Sequence, residues 1–134
     1  PHATDRADGL TLHGVYIGAP LRCAPPGNKP TTGQLENCSS YLDEEVRILR
    51  PRVVISLGGI GWNAALKTLK NSGRPWPGPK PRFAHGAEVG IGDVHLLGCY
   101  HVSQQNTFTG RLTEPMIDAV LRRATAIAAS RPMC

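Results

Sequence analysis

The stretch most able to do chemistry runs from Tyr100 to Arg111. It holds one imidazole (His101), three amides (Gln104, Gln105, Asn106), three Ser/Thr hydroxyls (Ser103, Thr107, Thr109) and a guanidinium (Arg111). An imidazole N–H can hydrogen-bond to an oxygen on which negative charge develops. Amides, hydroxyls and a guanidinium suit phosphate contacts. The plainer reading is a polar loop, but the run follows directly on the apolar segment Val94–Cys99. A second candidate is Arg22–Pro30, where three prolines and a glycine surround Asn28 and Lys29. An amide held on so rigid a loop loses little entropy on binding, and it offers the donor and acceptor that match a base edge. The plainer reading is an asparagine turn. Gly58-Gly59-Ile60-Gly61 lacks the spacing of a phosphate loop and reads as a strand-to-helix turn. His85 reads as structural or positioning, and Asp43, Glu44 and Glu45 as a solvated helix face.

These stretches need elements to hold them. Residues 14–21 read as a short strand. Thr31 and Gln34 form a capping-box pattern, after which Leu35, Cys38, Leu42, Val46 and Leu49 recur at helical spacing until Pro51. Arg52–Leu57 is a β-branched run that predicts a strand buried on both faces. A short helix through Trp62, Ala65 and Leu66 follows, then a loop over 71–82. Val94–Cys99 predicts a third strand. A last helix carries Met116, Ile117, Val120, Leu121, Ala124, Ile127 and Ala128, with Thr113 as cap and Pro115 in its first turn. Alternating strands and helices predict an α/β domain with a mainly parallel sheet. In such sheets ligands bind beyond the carboxyl ends of the strands, where the candidate loops lie.

Composition narrows the class. The chain has 134 residues, is 40% hydrophobic and carries a formal charge of +5. That is enough apolar material for one domain, and too little charge for a disordered tail. No apolar run approaches the roughly 20 residues that span a bilayer, so no membrane partner is expected. The four cysteines (Cys23, Cys38, Cys99, Cys134) include no C-x-x-C pair, so a self-contained zinc site lacks its usual spacing. The expectation is a cytoplasmic protein with reduced thiols, Cys99 being a core thiol. The excess of positive charge suits a nucleic-acid partner.

Arg22-Cys23-Ala24-Pro25-Pro26-Gly27-Asn28-Lys29-Pro30, then Cys38, then Tyr100 to Asn106 and Thr109 to Thr113 together resemble the type-5 uracil-DNA glycosylases. These are iron–sulfur members of the uracil-DNA glycosylase superfamily. The resemblance runs from about Asp8 to Ala128 and corresponds to the C-terminal two-thirds of such an enzyme. It implies a three-layer α/β/α fold with a mainly parallel central sheet. It also implies hydrolysis of the bond joining uracil, or another deaminated base such as hypoxanthine, to deoxyribose in DNA. The target nucleotide would be flipped out of the duplex to reach the pocket, and an abasic site would remain.

By position, the resemblance implies that His101 is the catalytic histidine, hydrogen-bonding to uracil O2. Asn28 would contact the base. Ser103, Gln104, Gln105, Asn106 and Arg111 would meet the DNA. Cys23 and Cys38 would be two of the four ligands of a structural 4Fe-4S cluster. Val102 stands where most of the superfamily has proline. The family's upstream segment, with two further cysteines, the water-activating loop and its Asp, has no counterpart here, Asp5 and Asp8 being in the wrong context. The expectation is therefore a single domain over 1–134 lacking its N-terminal segment, which becomes a required partner of an otherwise monomeric enzyme on nucleoid DNA. The alternatives are a nucleic-acid-binding iron–sulfur domain of the same fold without turnover, and a structural metal domain.

Overall fold

The computed structural model describes residue 5 and residues 7–22 and 25–130. Helix α1 (Thr32–Leu49) starts as its sequence dictates. The Thr31 hydroxyl accepts from the Gln34 N–H at 3.2 Å, and the Gln34 side chain accepts from the Thr31 N–H at 2.9 Å. It ends at Arg50, which takes a left-handed conformation just before Pro51. Strand β1 (Val53–Leu57) leads directly into α2 (Gly58–Asn71). A long connection then reaches β2 (Glu88–Ile91) and β3 (Val94–Cys99), followed by a single-turn helix α3 (Gln104–Phe108) and by α4 (Glu114–Ala129).

The sheet has the order β1-β3-β2. β1 and β3 run parallel, with Leu57 opposite Cys99, and β2 forms an antiparallel hairpin with β3. Successive strand residues face opposite sides, and the apolar residues sort accordingly. Val54 and Leu96 pair across β1 and β3 and pack with Val89, Trp62, Leu66 and Leu69 on the α2 side. Val53, Ile55, Leu97 and Cys99 pack with Val120, Ala124 and Ile127 on the α4 side. α1 lies against α2, joined by Asp43, which accepts from Thr68 Oγ1 and, at 3.1 Å, from Asn71 Nδ2. Three layers result. No helix among the described residues is long and apolar enough to cross a membrane.

Several elements differ from the sequence reading. Residues 14–21 form no strand, and Val15, Tyr16 and Ile17 are exposed. A strand needs a hydrogen-bonding neighbour, and among the described residues none lies beside this stretch. β2 was not expected, so the sheet has one parallel and one antiparallel pair. α3 lies within what read as a loop. α2 extends to Asn71. Thr113 occupies the cap position of α4, but its hydroxyl makes no capping bond. The acidic run of α1 is not uniformly solvated. Asp43 joins the two helices, and Glu45 accepts from Arg22 and, at 2.9 Å, from Tyr16 OH, which raises the Tyr16 pKa. Only Glu44 fits the expectation: it is exposed, and its hydrogen bond with Arg47 holds its carboxyl below the usual range.

Candidate active site

Because β1 and β3 are parallel and in register, their carboxyl ends open side by side. Gly58 leaves β1 and Tyr100-His101 leaves β3. Gly58 has φ +84°, and a Cβ placed on it would lie 3.3 Å from His101 Cβ and 3.9 Å from His101 Cδ2. A glycine is therefore required twice over, by conformation and by the approach of the histidine. The turn read as a strand-to-helix connection is that, and it also forms the floor under His101.

His101 is exposed to solvent, and the loop beyond it is tied back to it. The His101 carbonyl accepts from the Ser103 N–H at 2.9 Å and from Asn106 Nδ2 at 2.9 Å. The Ser103 hydroxyl caps α3 by accepting from the Asn106 N–H at 3.2 Å. Leu112, buried at 2% exposure, donates its N–H to the Asn106 carbonyl at 2.9 Å. Thus Ser103 and Asn106 act within the loop and hold its shape. Gln104 and Gln105 face solvent, and so does Phe108, which is 83% exposed. Positions 104, 105 and 108 share one face of the turn by helical spacing, presenting two amides and an aromatic ring outward. Sequence reasoning missed Phe108; the signal was an apolar residue at helical spacing from two glutamines.

The Arg111 guanidinium lies over the Tyr100 ring, 4.9 Å from its centroid. Phe83 meets the same ring edge-on at 6.3 Å. Phe83 also sits edge-on to Trp62 at 6.0 Å, and Trp62 Nε1 donates to the Pro81 carbonyl at 3.0 Å. The 81–87 connection is thereby fastened beside the end of β3. Gly98 permits this: a Cβ there would fall 2.4 Å from the Ala84 carbonyl oxygen.

Of the first candidate loop, Pro26–Asn28 forms one 3-10 turn with Gly27 at φ +64°. Arg22 is engaged by Glu45 and lies over the Tyr41 ring at 4.9 Å. Cys23 and Cys134 lie outside the described residues, and so does the side chain of Asn28. Cys38 is a half-buried free thiol on α1. Among the described residues no three His, Cys, Asp or Glu side chains gather as a metal site. Cys99 is a core thiol, as expected, and burial pushes its pKa up. Asp5 and Asp8 cap their own turns, accepting from Ala7 N–H at 2.6 Å and Leu10 N–H at 2.8 Å. An apolar groove of about 430 Å³ lies between the sheet and α4, walled by Leu97, Met116, Ala119, Val120 and Arg123. His85 lines it, but His101, Gly58, Ser103 and Asn106 do not.

The chain is similar to uracil-DNA glycosylases of several organisms. It is 48% identical over 132 residues to a type-5 uracil-DNA glycosylase of Mycobacterium bovis, a match covering 96% of this chain and 47% of that one. Over 125 residues it is 44% identical to a type-5 uracil-DNA glycosylase of Thermus thermophilus, covering 90% of this chain and 54% of that one. A protein of the same description from Pyrobaculum aerophilum is 41% identical over 126 residues, covering 94% of this chain and 53% of its own. The chain thus spans about half the length of the curated relatives it matches. The family model described as the uracil DNA glycosylase superfamily matches residues 3–125. With nearly the whole chain inside that match, this protein belongs to the uracil DNA glycosylase superfamily.

Proposed function

We propose that this chain is part of a DNA-repair enzyme that hydrolyses the N-glycosidic bond of uracil in DNA and leaves an abasic site, with hypoxanthine as a second substrate. The observation that carries this reading is His101 at the end of a buried strand, set against Gly58 at the end of the neighbouring one, in a chain of this superfamily. The bond between base and sugar breaks with its electron pair on the base. The oxygen of water takes its place on the sugar carbon, and the water proton leaves to a base. A donor on His101 stabilises the departing uracil through O2 as charge builds there. Asn28 holds the base edge. Gln104 and Gln105 meet the DNA directly, on a turn shaped by Ser103 and Asn106, while Arg111 offers its outer N–H groups to a phosphate.

The group that accepts the water proton belongs, in this reading, to a segment outside this chain. Two features support such a segment. β1 has an open edge among the described residues, since β3 occupies only one side. Leu57 at its end and Ile60 just beyond it are exposed. An added strand would cover that edge. The same segment would bring two cysteines to join Cys23 and Cys38 around a 4Fe-4S cluster, whose part is structural.

The experiment is incubation of the full-length protein with a duplex holding one uracil, followed by hot alkali. Strand scission at that position is expected. Duplex binding without scission would favour the reading of a nucleic-acid-binding domain without turnover. For the cluster, the purified full-length protein should be brown and contain iron, and Cys38→Ala should lose both colour and thermal stability. A Cys38→Ala protein with its full iron content would remove that residue from the ligand set.

A further inference from the structure

β3 is paired with β1 as far as Cys99. On its other side the ladder runs past β2 into the 84–87 connection. There the Gly98 N–H donates to the Ala87 carbonyl at 2.8 Å, and the Gly86 N–H donates to the Gly98 carbonyl at 2.8 Å. The next main-chain donor on that side is the N–H of Tyr100. A side chain meets it: His85 Nδ1 accepts this bond at 3.0 Å. The imidazole supplies one further rung where the main chain has turned away. It also lies against the Tyr100 ring, with centroids 5.0 Å apart and planes at 34°. Tyr100 is the residue before His101.

We propose that His85 is a positioning residue for His101. By accepting the Tyr100 N–H it fixes the direction in which the chain leaves β3, and so the place of the His101 imidazole over Gly58. The inference rests on the uracil-release reading above. Its physical basis is that a partly buried main-chain N–H is seldom left without an acceptor. Without His85 the chain at residue 100 shifts to find another. A misplacement of about 1 Å at a reacting group can cost about a hundredfold in rate. Because Nδ1 accepts, the ring proton sits on Nε2. The role needs only that lone pair and no contact with substrate.

This separates the acceptor from the bulk of the ring. In His85→Asn the side-chain oxygen stands at the same place along the side chain as Nδ1. His85→Phe keeps a ring but offers no acceptor, and His85→Ala keeps neither. In the full-length protein, three measurements are compared: single-turnover uracil release, affinity for an uncleavable duplex, and hydrogen exchange of the Tyr100 amide by NMR. In His85→Ala and His85→Phe, uracil release should fall by about tenfold to a hundredfold with DNA affinity retained, and the Tyr100 amide should exchange faster. His85→Asn should recover most of the rate and the slow exchange. Wild-type turnover in His85→Phe would overturn the proposal, as would a His85→Asn enzyme no better than His85→Ala. Should the unaltered protein release no uracil, the function reading fails by itself and the exchange data decide. Faster Tyr100 exchange in His85→Ala, restored in His85→Asn, would uphold the tether, and unchanged exchange would remove it.

Discussion

His101 itself makes few contacts through its ring, and that is informative. Its carbonyl is held twice and its Cβ rests on Gly58, while the imidazole stays open to solvent. On the proposed reading His101 reaches into a bound nucleotide, and such a group needs a fixed root and a free tip. Gly58 is the half of this arrangement that a single methyl group can disturb. In Gly58→Ala the left-handed conformation alone would cost about 1–2 kcal/mol, and the new Cβ would press on His101 at 3.3 Å. Steady-state kinetics on a uracil duplex should show kcat lowered by about tenfold or more with little change in KM. A Gly58→Ala protein with unaltered kcat would mean that His101 is positioned by something else. The resemblance picked out His101 and its polar neighbours, since they form one unbroken stretch. It could not show that Ser103 and Asn106 turn inward while Gln104 and Gln105 face out, because that division depends on α3, a single turn with only local hydrogen bonds.

At the level of elements, what could be read depended on whether the determining interactions were local. α1 was legible from Thr31 to Pro51 because its capping box and apolar spacing are properties of adjacent residues. β1, β3 and α4 were legible from their apolar runs. β2 was not: Glu88-Val89-Gly90-Ile91 is short, carries a glycine, and owes its strand form to pairing with β3. The ion pair of Glu88 with Arg123 of α4, with N–O distances of 2.7 and 2.8 Å, adds to its anchoring and holds the Glu88 carboxyl below its usual range. Residues 14–21 show the converse, an apolar pattern with no partner strand beside it among the described residues. The 81–87 connection was illegible because Trp62, Phe83, His85 and Tyr100 come from separate parts of the chain. Gly98 is its most exacting point. In Gly98→Ala the added Cβ would fall 2.4 Å from the Ala84 oxygen, forcing the connection off β3. Such overpacking typically costs about 1–3 kcal/mol. Urea unfolding should report a loss of at least that size; a midpoint equal to that of the unaltered protein would mean that the connection gives way freely.

For the molecule as a whole, the fold places its site at one end of the sheet, and its charge and its open edge both bear on what meets it. A chain with net charge +5 attracts a polyanion, and binding through phosphates weakens as salt rises, because releasing counterions into a saltier solution gains less entropy. The chain spans about half the length of the relatives it matches, and the open side of β1, with Leu57 and Ile60 exposed at its end, is where the proposed further segment would pack. The central claim is narrower than that: a donor on His101 steadies the base as it leaves. The direct measurement is the single-turnover rate of uracil release by the full-length enzyme and by His101→Ala, with affinity for an uncleavable duplex measured alongside. The account predicts a rate lower by about a hundredfold to a thousandfold in His101→Ala with duplex affinity intact. Uracil release at the unaltered rate in His101→Ala would contradict it.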